Sequence, residues 1–254
     1  MDTPAHIKAL VDEVHALGDL VTDEVLSDTV TTCPDWSVFD LVSHVGGLHR
    51  WSTRMVEGPI TTQRWRTDFD LAYPELADGA AAAAAWLMDG LDPMTTAFTA
   101  ASPTLPVWVW GSDPCARWWP RRMLFETIAH RCDLEITFGR RPVVDPERAV
   151  DGVDEFLTNL PFTARWNDQI RTLTGDRSSL VFRSEDVGRA WRIRIGSNGW
   201  WWDRPDGDDA GAASVTVDAT VTDVFLLLQG RPAPSASIDG EHAVLDRWLA
   251  ATAF

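Results

Sequence analysis

Positive charge is what this sequence has least of. Lys8 is its only lysine, and 22 basic against 38 acidic side chains leave a formal charge of −16 over 254 residues. Such a surface repels the phosphates of nucleic acids and of anionic membranes, which excludes both as partners; an anionic small molecule needs a local concentration of arginine to dock. Cysteine is scarce too. Cys33, Cys115 and Cys132 are odd in number, widely spaced and without a Cys-x-x-Cys. Neither a disulfide framework nor a cysteine-rich zinc site is indicated, and a reducing cytoplasm is the expected compartment. No apolar run reaches the length of a membrane span. Asp2, Asp12 and Glu13 interrupt the first nineteen residues, which therefore lack the core of a signal peptide. Also missing are a glycine-rich phosphate loop, a Gly-x-Ser-x-Gly elbow and a His-Glu-x-x-His metalloprotease motif.

What is there is ordinary globular material, 45% hydrophobic and 24% charged, in a chain long enough for two domains. The spacing of Ile7, Leu10, Val14, Leu17 and Val21 predicts an amphipathic first helix. Pro34 breaks the chain and Ser37 offers an N-cap to a second helix, Val38 to Ser52. An alanine-rich third helix is predicted from Glu75 to about Phe98, shortened by Gly90 and Pro93, and a fourth through Arg121–Asp133. Four such helices suit an antiparallel bundle, whose metal and cofactor sites form between facing helices.

On the fourth helix Glu126 and His130 are four residues apart, about 40° from each other on one face. A carboxylate and an imidazole so placed either share a solvated hydrogen bond or ligate a divalent metal such as zinc, and spacing alone leaves both open. A third ligand must come from elsewhere. In the second helix His44 and His49 lie about 140° apart and cannot easily serve one ion. His44 is preferred, because Asp40 stands one turn earlier and could hold its other ring nitrogen.

Three stretches carry a resemblance to a known family: Thr32-Cys33-Pro34-Asp35-Trp36-Ser37-Val38 through His44, Trp119-Pro120-Arg121-Arg122-Met123 through Glu126 and His130-Arg131-x-Asp133, and Asp151-Gly152-Val153-Asp154-Glu155-Phe156-Leu157. Together they make the chain similar to the mycothiol-dependent maleylpyruvate isomerase family over nearly its whole length. The resemblance implies a DinB-like metal-binding four-helix bundle (1–145) followed by a smaller antiparallel-sheet α+β domain (146–254), with metal ligands at His44, Glu126 and His130. It also implies a divalent metal, expected to be zinc, with mycothiol as thiol cosubstrate. On that resemblance the thiol is expected to ionise at the metal and add to a maleylpyruvate-like anionic enone acid, leaving after rotation as an isomerase requires, or to stay on a small electrophile as in an S-transferase. A non-catalytic zinc- or thiol-sensing regulator and a metal-dependent hydrolase are the alternatives. None of the three cysteines is expected to act as the nucleophile, and a monomer or weak dimer is expected.

Past Pro142 the composition changes. Pro146 to Leu160 predicts a short acidic helix joining the halves. Four alternating stretches, near 180–183, 190–196, 199–203 and 214–218, predict antiparallel strands, the second and third joined at Ser197-Asn198-Gly199, and two helices follow. Trp191, Ile193 and Ile195 share one face of their strand; Arg192 and Arg194 share the other. Arg194 is the candidate for gripping an anionic substrate in the catalytic site, the alternative being a solvated sheet face.

Overall fold

The computed structural model describes residues 1–175, 177–205 and 212–253. They fall into two compact units, Met1–Val143 and Val144–Phe254.

The first unit contains α1 (Thr3–Gly18), the short ribbon β1 (Thr29–Val30) and β2 (Cys33–Ser37), α2 (Val38–Glu57), α3 (Gly79–Asp89), α4 (Leu91–Ala100) and α5 (Trp118–Thr137). The Asp2 carboxylate accepts from the Ala5 amide at 2.9 Å to start α1, which buries Leu10, Val14 and Leu17 and packs chiefly on α5. α5 is buried on nearly every side, by Trp119, Met123, Phe125, Ile128, Cys132 and Leu134, as befits the central helix of a bundle. A reciprocal capping box starts α2: Ser37 Oγ accepts from the Asp40 amide at 3.2 Å and Asp40 Oδ2 accepts from the Ser37 amide at 2.9 Å.

The alanine-rich segment is two abutting helices where one was predicted. Gly90 ends α3, and Pro93, which cannot donate to the Asp89 carbonyl, stands in the first turn of α4, where no such bond is needed. The room at Gly90 is taken by Arg50, whose guanidinium lies 3.9 Å from the centroid of a Trp86 ring and donates to the Trp86 carbonyl at 2.5 Å. Gly46 and Gly47 let α2 approach its neighbours, since a Cβ there would overlap the Trp86 ring and the Tyr73 hydroxyl respectively.

The second unit holds α6 (Pro146–Asn159), β3 (Ser179–Ser184), β4 (Arg189–Gly196), β5 (Gly199–Asp203), β6 (Val215–Asp218), α7 (Val221–Leu228), β7 (Ser237–Gly240) and α8 (His242–Thr252). The five-stranded sheet runs β5-β4-β3-β6-β7. β4 and β5 form the predicted hairpin, closing at Gly196 and Gly199. The expectation of a wholly antiparallel sheet is corrected at its centre: β6 lies parallel to β3, Leu180 beside Val215 and Phe182 beside Val217. All four of those residues are fully buried, so β3 and β6 form the sheet's apolar middle, which suits parallel pairing. α6 belongs to this unit and packs on α7, and Asp154 on it accepts from the Trp191 indole at 2.8 Å. No helix among the described residues is long and apolar enough to cross a membrane.

Candidate metal centre

α2 and α5 pack together and bring His44, Glu126 and His130 to one place. Glu126 Oε1 lies 3.0 Å from His44 Nε2 and 3.4 Å from His130 Nε2, and the three donor atoms are all within 4.8 Å of one another. Zinc–ligand bonds of about 2.0–2.1 Å in a tetrahedron put donor atoms roughly 3.4 Å apart, a spacing that the two distances from Glu126 Oε1 approach.

Each donor is held in a usable state. The second carboxylate oxygen of Glu126 is taken by Arg122, one turn earlier on α5, which leaves Oε1 facing both imidazoles. Burial works to raise the Glu126 pKa, but Arg122 and the two histidines outweigh it, holding the carboxyl well below the usual range and ionised. Burial lowers the pKa of His44 despite its bond to Glu126, which favours the neutral imidazole that metals bind. At His130 burial is overcome by hydrogen bonds to Asp133 and Glu126, and the pKa is raised. A proton held there is one a cation can displace.

Asp133 is a supporting residue that sequence reasoning missed. It is fully buried, and its carboxylate lies 2.9 Å from His130 Nδ1 while accepting from Thr32 Oγ1 at 2.6 Å and Cys33 Sγ at 3.8 Å. A hydrogen bond from Nδ1–H to Asp133 orients the ring so that Nε2 faces Glu126 Oε1, where its lone pair becomes available once a cation displaces the proton. Asp40, by contrast, was expected to support His44 and does not: it is exposed and engaged in the α2 capping box. Trp36 of β2 packs at a tilt against both imidazoles, its ring 4.6 Å from the His44 centroid and 5.7 Å from that of His130. Of these supports, Arg122 and Asp133 leave a trace in the sequence as i, i+4 and i, i+3 partners on one helix; Trp36 and Thr32 stand in a stretch that carries the family resemblance, but no spacing there points to their contacts.

The remaining candidates, Cys33 excepted, are not grouped with these donors among the described residues. His49 is buried with Nε2 2.9 Å from Thr127 Oγ1, whose proton goes to the Met123 carbonyl, so His49 donates; burial pushes its pKa down to about 3. Burial pushes Cys132 up to about 12 and, with the Asp113 hydrogen bond, Cys115 up to about 11. Cys33 is nearer the centre than expected, its sulfur grouped with the donors of His130 and Asp133 within 4.8 Å. Arg194, in the second unit, donates to Asp203 Oδ1 at 3.0 Å and shares that carboxylate with Arg192. It also lines a cavity of about 540 Å³ with Arg177, Trp200 and Trp201.

A crystal structure of a mycothiol-dependent maleylpyruvate isomerase superposes on the chain with a TM-score of 0.59 at 15% identity, covering 95% of each chain. A histidine-to-alanine mutant of that isomerase gives 0.62 at 14%, again over 95% of both. At such identities the likeness is one of fold. No curated protein matches the chain. Residues 7–135, more than half of the chain and inclusive of His44, Glu126, His130 and Asp133, match the family described as the mycothiol maleylpyruvate isomerase N-terminal domain. The chain belongs to that family.

Proposed function

We propose that the chain is an enzyme that uses a divalent metal and a low-molecular-weight thiol, mycothiol by its family, either to isomerise a maleylpyruvate-like enone acid or to transfer the thiol to a small electrophile. The observation that carries this is the grouping of donor atoms from His44 on α2 and from Glu126 and His130 on α5 within 4.8 Å of one another. These residues would hold zinc, the ion that two imidazoles and a carboxylate suit, and it supplies the Lewis acidity that makes a thiol a nucleophile at neutral pH.

The chain's own groups do the rest. Three protein ligands leave a fourth position free, the pattern of catalytic rather than structural sites. Asp133 keeps the proton on Nδ1 of His130, and Arg122 keeps Glu126 to a single ligating oxygen. The indole of Trp36 packs against both imidazoles and helps to hold their rings in place. No protein thiol needs to react: the high pKa values of Cys115 and Cys132 leave both protonated at neutral pH, and Cys33 serves as a donor to Asp133.

Turnover of an enone acid or electrophile is expected to appear only with added thiol, and to survive in the Cys33→Ser/Cys115→Ala/Cys132→Ala variant, as read by substrate consumption with and without mycothiol. Hydrolysis by the zinc-loaded protein without thiol points to the hydrolase instead, and saturable thiol binding with no turnover to the sensor. For Arg194 the expected result is that Arg194→Met weakens substrate binding or turnover several-fold while metal content stays constant. Unchanged kinetics restrict Arg194 to its pair with Asp203.

A further inference from the structure

Arg66 opens a short 3-10 turn, Arg66–Asp68, that packs against α2 in the first unit. Its Nη1 is shielded from solvent and has no hydrogen-bond partner among the described residues. The acids nearest in sequence are already committed to main-chain amides: Asp68 Oδ2 accepts from Trp65 at 2.9 Å and Asp70 Oδ1 from Ala72 at 3.0 Å. The helix against which this turn packs, α2, is the one that carries His44. The neighbouring arginines differ: Arg122 is paired with Glu126, and Arg50 is held by Trp86.

A buried guanidinium nitrogen without an acceptor is costly, and a free positive charge beside a cation-binding centre is costlier, since it repels the ion. Both penalties disappear when an anion sits between the two. A planar guanidinium matches a carboxylate in particular, and in a chain of charge −16 an anion needs such a point of attraction.

We propose that Arg66 is the anion anchor of the His44–Glu126–His130 centre, its guanidinium taking a carboxylate of the substrate so that the rest of the molecule lies toward that centre. The role of substrate rests on the function proposed above; the capture of a carboxylate by Arg66 does not.

The test is calorimetric titration of succinate, and of its uncharged dimethyl ester, into wild-type, Arg66→Met and Arg66→Lys proteins, each zinc-loaded and metal-free. Succinate affinity is expected to fall about tenfold or more in Arg66→Met, in both metal states, and less in Arg66→Lys, which keeps the charge but not the fork. Ester binding and zinc content are expected to stay at wild-type values. Equal succinate affinity in Arg66→Met, no succinate binding by the wild type, or an equal loss for the ester overturns the proposal. If the protein takes up no zinc while succinate binding still depends on Arg66, the anchor stands and the metal assignment falls.

Discussion

His130→Ala protein is expected to retain almost no zinc after dialysis, against about one ion per chain in the wild type, and to lose thiol-dependent turnover by on the order of a thousandfold. His130 is where the largest effect belongs, because both its ring nitrogens are engaged: Nε2 faces Glu126 and Nδ1 faces Asp133. His44→Ala and Glu126→Ala should behave alike, since two remaining donors do not hold a tetrahedral ion. Elemental analysis of the purified proteins decides the matter, and full occupancy in His130→Ala sinks the assignment. His49→Ala is the control. It removes a buried ring and leaves the Thr127 hydroxyl without its donor, so it should lower stability by about 1–3 kcal/mol while the metal stays. Loss of zinc in His49→Ala without unfolding would place the wrong histidine in the centre.

The second large effect is expected at Asp133. In Asp133→Ala the zinc dissociation constant should rise about 10- to 100-fold, the usual consequence of removing the acceptor that orients a ligating imidazole. Three donors, from His130, Thr32 and Cys33, would lose one fully buried acceptor together, so the metal-free protein should also melt earlier. Asp133→Asn keeps the shape and one accepting oxygen and should fall between. Competition with a chromophoric chelator measures the affinity and a thermal melt the stability. Zinc affinity unchanged in Asp133→Ala would leave Asp133 with a purely structural part.

What was legible in the sequence depended on how far each partner stood along the chain. Glu126 and His130 could be matched because one helical turn separates them, and the start of α2 could be read because Ser37 and its capping partner are three residues apart. Asp40 was misread for the same reason: helical spacing placed it near His44, but the capping box took its carboxylate first. Asp133 was legible only in part: it stands three residues from His130, but two of its donors come from Thr32 and Cys33, about a hundred positions earlier, on a ribbon too short for alternation to betray. The orphan nitrogen of Arg66 lies outside any regular pattern altogether, in a stretch whose loop character says nothing about which side chains turn inward. In the second unit the hairpin β4–β5 was visible in its local turn. The parallel pairing of β3 with β6 was not, since strand direction is settled by which apolar stretches meet in the folded sheet. β7 escaped because Ser237–Gly240 is a short, mostly exposed edge strand with nothing to bury.

The distance between His44 and Glu126 along the chain has a mechanical meaning. The two stand 82 residues apart, on different helices, whereas Glu126 and His130 are separated by a single turn. An ion gripped by all three is therefore a crosslink, and in the unfolded chain it would close a loop of about 80 residues, withdrawing roughly 4 kcal/mol of conformational entropy by the arithmetic used for disulfides. Nearly all of that tether passes through His44. Without this one imidazole, the donors that remain, Glu126 and His130, stand on a single helix and tie it to nothing.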